Sequence, residues 1–201
     1  MPKKEAVDEF RFKELGSLQE KILFHLAENP EQNAQKIQKK IDYPDSQYGN
    51  VNAGVKGLEK LGYVKSKSGK SKKNLKINLY SCTENGVFYA LAKNHKANIK
   101  SILTTYQDEY PVFTPFVELF SVWGKERIAK FFENSLDLAL IANKEGYDKA
   151  ISVLLIRILN EVQDSDPKTR KKFAKKIMKL FPKTHQMMIE WKETIDDVLE
   201  E

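Results

Sequence analysis

Lysines crowd one short stretch of this 201-residue chain. Lys65, Lys67, Lys70, Lys72, Lys73 and Lys76 surround Gly69, and no acid occurs between Lys65 and Tyr80. Ammonium groups at this density suit a phosphate backbone, because each phosphate neutralised releases condensed counterions. Just before them runs "QYGNVNAGVKGLEKLG". At helical spacing Val51, Val55 and Leu58 fall on one side of it, leaving Tyr48, Asn50, Asn52, Ala53, Lys56 and Lys60 on the other. Asparagine pairs N6 and N7 of adenine, while lysine reaches guanine O6 and N7 or a phosphate; each good bidentate contact is worth about 1–3 kcal/mol of discrimination. The chemistry these residues share is recognition of duplex DNA. Taken alone, the lysine turn reads equally well as a solvated loop that protects strand edges. Its place directly after the polar helix face favours DNA.

The elements that position these groups follow from the pattern. "SLQE" at Ser17 has the form of a capping box, with Glu20 reaching back, and Leu18, Ile22 and Leu26 make one buried stripe up to Asn29 and Pro30. A short second helix fits "NAQKIQKKI", capped by Asn33 or a neighbour, with Ile37 and Ile41 inward. "DYPDS" turns the chain, and the third helix spans about Gln47 to Leu61, ended by Gly62. Gly54 and Gly57 lower its helix propensity by about 0.8–1.0 kcal/mol each, which points to close packing. "YVKSK" and "LKINLYSC" read as two strands of a hairpin around "SGKSKKN". In the second strand Tyr80 and Cys82 face the core. Leu75, Ile77 and Leu79 then fall on the other face, so a bulge switches sides or that face is covered. Thr83 caps a fourth helix, whose stripe of Val87, Leu91, His95, Ile99, Ile102 and Tyr106 allows it to run to about Tyr106 unless "KNHKAN" breaks it.

The order helix, helix, helix, strand, strand, helix over about Leu15 to Ala92 is carried by two motifs, "VNAGVKGLEKLGYV" and "LYSCTENG". It resembles the winged helix-turn-helix domain of prokaryotic transcription regulators such as the MarR and PadR families. The first motif is similar to their recognition helix with its L-E-x-x-G-hydrophobic ending, the second to the Y-x-L-T-x-x-G after their wing. Cys82 departs from this pattern by standing in place of leucine. The resemblance implies a third helix in the major groove, a wing on the phosphates or in the minor groove, and a two-fold homodimer on paired half-sites. The dimer contact would come from the helix after the wing and those appended to it. The same stripe reads equally as packing within its own chain.

The remainder carries no strand signal and reads as a helical bundle. "DEYPVFTP" is a linker, Thr114 and Pro115 open "FVELFSVW", and Gly124 ends it. Further helices fit "KERIAKFFENSLDLALIANKE", "YDKAISVLLIRILNEVQ", "KTRKKFAKKIMKLF" and "HQMMIEWKETIDDVLE". Phe116, Phe120, Trp123, Phe131, Phe132, Leu154, Leu155, Ile158, Phe173, Ile177, Met188 and Trp191 supply the apolar faces. The basic run at 168–183 is a second nucleic-acid contact, a membrane-surface helix, or a solvated face paired with the acids that follow it. The mainly α chain thus divides into a winged helix over 1–92, a connecting helix over 93–110 and a bundle over 111–201.

Composition bounds the function. The net charge is +6, with 16 Lys and Arg against 11 Asp and Glu over 1–92, and 18 against 17 over 93–201. The excess therefore sits beside the lysine stretch and fits a polyanionic partner. One cysteine permits no intrachain disulfide, no apolar run approaches the roughly 20 residues of a membrane span, and the amino terminus lacks a signal-peptide core. The expected location is the cytoplasm, with no membrane partner. His25, His95 and His185 are scattered away from metal spacing, and no phosphate loop or nucleophile motif occurs, so neither an enzyme nor a cofactor is expected. The reading is a DNA-binding transcription regulator, with a small molecule or protein as a candidate effector at the bundle. The alternative is a winged-helix module for protein or RNA.

Overall fold

A computed structural model describes residues 15–71, 74–94 and 96–138, together with 153, 154, 156–158, 160, 163, 166–168, 170, 171 and 175. Helix α1 (Ser17–Glu28) buries Ile22, Leu23, Leu26 and Ala27. Its cap lies one residue earlier than the sequence pattern suggests. Gly16 takes the extended cap conformation and Gln19 reaches back to its N–H at 3.3 Å. Glu20 is drawn away because its carboxylate accepts the Tyr89 hydroxyl at 3.0 Å.

Helix α2 (Ala34–Lys40) starts where expected, the Asn33 side chain accepting the Lys36 N–H at 2.8 Å. Its buried Gln38 donates to the Pro44 carbonyl at 2.7 Å, which ties down the turn that follows. After a 3-10 turn at Asp45–Gln47 comes α3 (Tyr48–Lys60), with Val51, Val55 and Leu58 fully buried. The Gly62 N–H bonds to the Glu59 carbonyl and the Tyr63 N–H to Leu58, both at 3.0 Å. This double closure needs the φ of 75° that Gly62 supplies. A packing reason is visible for Gly54, where a Cβ would fall 2.8 Å from the buried Ile22 side chain; at Gly57 a Cβ would meet only the movable amide end of Gln19, at 2.9 Å.

The hairpin pairs β1 (Val64–Lys70) with β2 (Lys76–Cys82) without a bulge, from Val64 opposite Cys82 to Lys70 opposite Lys76. Faces alternate throughout. Tyr80 and Cys82 are buried, while on the other side Leu79 and Ile77 are half-buried and Leu75 is 64% exposed. Gln32, between α1 and α2, exchanges both backbone hydrogen bonds with Tyr80, which adds a short third rung to the sheet. Three helices followed by this wing are a winged helix-turn-helix, and further helices complete a mainly α chain.

The helix expected from Thr83 to Tyr106 is two helices, α4 (Glu84–Lys93) and α5 (Ile99–Tyr106). Asparagine explains the break, since its side chain competes with the helical backbone. Asn94 accepts the Lys96 N–H, and Asn98 caps α5 by accepting from Ser101, each at 3.2 Å. Helix α6 (Thr114–Asn134) follows a 3-10 turn at Pro111–Phe113. At Gly124 the backbone leaves helical geometry (φ 76°, ψ 178°), so the expected stop is a sharp kink. Thr114 makes no cap. Its hydroxyl reaches back to the Gln107 carbonyl at 3.5 Å instead.

One continuous apolar core joins these elements. Ile99, Ile102 and Tyr106 are buried in it, so this stripe packs within its own chain. The Tyr106 hydroxyl donates to the Leu26 carbonyl at 3.0 Å, satisfying an acceptor in the last turn of α1. Cys82 fills the leucine-like position of its motif, fully buried, and burial pushes its thiol up to about 12. At pH 8 the native thiol is therefore protonated and enclosed, and a colour-forming disulfide reagent should react with it only on unfolding. Prompt reaction of the folded protein would contradict this packing.

Candidate nucleic-acid interface

Helix α3 rests its apolar side on α1 and α2 and turns the other side outward. Tyr48, Asn50, Ala53, Lys56 and Lys60 are exposed along it, and Asn52 is half-buried. The Asn50 amide lies 3.4 Å from the Gln47 side-chain oxygen, a weak bond on an exposed surface. The predicted reading residues therefore share one surface. That surface combines amide donors and acceptors with two ammonium groups.

The wing is more constrained than its sequence suggests. No acid lies within the hairpin, yet three reach it from elsewhere: Lys67 pairs with Glu31, Lys65 pairs with Glu109, and the Ser66 hydroxyl donates to Glu59. The Lys65 ammonium also stands 5.2 Å above the Tyr110 ring. Partial burial works to lower its pKa, but Glu109 and Tyr110 together hold it above the ordinary lysine value. Both pairs are about half exposed, so each adds at most about 1 kcal/mol of stability. Their larger effect is on where those charges sit. Lys70 is exposed at the end of β1, whereas Lys72 and Lys73 lie outside the described residues.

The tip and base of the hairpin are fixed by further bonds. At the tip Ser71 accepts the Asn74 N–H and donates its own N–H to Leu75, at 2.9 and 2.8 Å. At the base the Tyr110 hydroxyl donates to the Cys82 carbonyl at 3.1 Å. Between wing and helices lies a feature that neither motif announces. A crevice of about 240 Å³ opens where the start of α2, the start of α3 and β2 meet, lined by Asn33, Gln35, Tyr48, Asn52, Ile77 and Asn78 among others. These amides come from three separate elements, and their spacing in sequence carries no period that would reveal them.

Other candidates resolve more simply. His25 is half-buried and burial lowers its pKa, as suits a structural histidine. His95 and His185 lie outside the described residues, as do Leu155, Phe173, Ile177, Met188 and Trp191. Among the described residues no three His, Cys, Asp or Glu side chains gather to hold a metal ion. The aromatic faces of α6 pack on each other, with Phe116 4.6 Å from Phe132 and Trp123 5.8 Å from Phe131. Of the basic run at 168–183, Lys168, Arg170, Lys171 and Lys175 are exposed. No helix among the described residues is long and apolar enough to cross a membrane.

No protein-family model and no curated protein matches the chain. Among solved structures, the chain is similar to ZitR of Lactococcus lactis, a zinc-responsive MarR family member, at 24% identity over 58% of this chain and 78% of that one, with a TM-score of 0.35. A glutamate-to-alanine mutant of ZitR is 26% identical over 56% and 77%, with a TM-score of 0.34. A cysteine-to-serine mutant is 27% identical over 54% and 75%, also at 0.34.

Proposed function

We propose that this chain is a sequence-specific DNA-binding regulator of transcription. The observation that carries the reading is the outward face of α3, where asparagines and lysines lie side by side next to a lysine-bearing wing. Asn50, Asn52 and Lys56 read base edges in the major groove; Tyr48, Ala53 and Lys60 flank them. Lys70, Lys72 and Lys73 meet phosphate at the wing tip. Lys65 and Lys67 contribute through the field of the wing, with their ammonium groups held by Glu109 and Glu31. The working form is a homodimer spanning two half-sites, with the helical half as its pairing and effector region, inside the cytoplasm.

Fluorescence anisotropy with a random-sequence duplex at several salt concentrations tests this reading. Wild type should bind, with affinity falling steeply as salt rises. Replacing Lys70 with alanine should make the log–log salt slope shallower by about 0.9, the value for one phosphate. Replacing Lys65 should change it less. Absence of binding at low salt would transfer the winged helix to a protein or RNA partner.

A further inference from the structure

We infer that the amide crevice between α2, α3 and β2 is a seat for one backbone phosphate of the duplex, held by uncharged donors. The inference rests on the DNA reading and extends it to residues outside the recognition helix. A helix in the major groove and a wing reaching the neighbouring minor groove straddle the sugar–phosphate strand that separates the two grooves. That strand must cross whatever lies between helix and wing, and here the crevice lies there.

The lining suits a phosphate in its hydrogen-bond polarity. Asn33 has already committed its side-chain oxygen to the Lys36 N–H at 2.8 Å, so what remains to it is an amide donor. Gln35 of α2 and Asn78 of β2 are exposed, Asn52 of α3 is half-buried, and Tyr48 is 43% exposed. Among the described residues no lysine, arginine or carboxylate lines the crevice. Carboxamide and phenol donors fix a duplex in register without neutralising its charge. Such a contact adds affinity and adds nothing to counterion release. Gln35 and Asn78 are thus positioning residues for the DNA.

The double variant Gln35→Ala/Asn78→Ala separates this seat from the lysine contacts. Both residues are exposed, and thermal melting should confirm an unaltered fold. On the random-sequence duplex its affinity should fall about tenfold at every salt concentration, the log–log line staying parallel to that of wild type. Selection from a random duplex library should return the same preferred sequence for both proteins. Wild-type binding with an unchanged variant would overturn the seat alone, as would a shallower slope. A changed preferred sequence would overturn it in favour of base contact. Wild type that binds no duplex would overturn the DNA reading and this inference together.

Discussion

Replacing Gly86 with alanine should cost about 3 kcal/mol or more, at the upper end of what overpacking does. A Cβ at this position would stand 2.0 Å from the Tyr63 carbonyl oxygen and 3.3 Å from the Cys82 Cβ. No rotamer change relieves a clash with backbone. The oxygen itself is fastened, because it accepts the Thr83 N–H at 3.0 Å, and the Thr83 hydroxyl donates to the Gly62 carbonyl at 2.6 Å. To admit one methyl group, the end of α3, the base of the hairpin and the cap of α4 must all shift. In thermal denaturation the midpoint should fall by roughly 6–12 °C for a chain of this length. Gly49→Ala is the control, since nothing lies within 4 Å of a Cβ there and alanine favours the helix. Equal midpoints for Gly86→Ala and wild type would refute the close approach of α4 to Tyr63.

Phe132→Ala should remove about 3–5 kcal/mol, the usual cost of emptying a buried phenylalanine site. Its ring meets Phe116 at 4.6 Å, and Phe88 of α4 edge-on at 4.9 Å. It also faces Phe113 and Phe131, at 6.3 and 6.1 Å. Because Phe88 belongs to the helix that follows the wing, the loss should not stay within α6. Amide exchange in peptides from α1 and from α6 should accelerate together, as for one cooperative unit. Faster exchange in α6 with α1 unchanged would instead show two independently stable halves.

Local chemistry made much of the winged helix legible from its residues. The Asn33 cap, the Gly62 turn and the Thr83 cap each work within three or four residues, and those bonds are the ones the residue types announce. The apolar face of α3 was equally plain, since Val51, Val55 and Leu58 repeat at helical spacing. Interactions across long sequence distances were not. Glu31 and Glu109 stand 36 and 44 positions from the lysines they hold, and nothing in a charge count connects them. The break between α4 and α5 was legible only as an alternative at "KNHKAN", because the apolar stripe continues on both sides while the asparagines that cause it act through side-chain bonds. The α3 face was readable as a helical pattern; the crevice beside it was not, because Gln35 and Asn78 share no element.

The Tyr106 hydroxyl bond to the Leu26 carbonyl bears on how the chain comes to be folded. The donor is made 80 residues after its acceptor, and Asn98 likewise finds Glu28 only 70 residues later. As the chain leaves the ribosome, α1 therefore emerges long before the groups that finish its last turn. Its apolar stripe has no complete cover until α5 is out. Such distant closures raise contact order and slow the approach to the native state. The first helix of the chain is thus completed only by residues 70 and 80 positions further on.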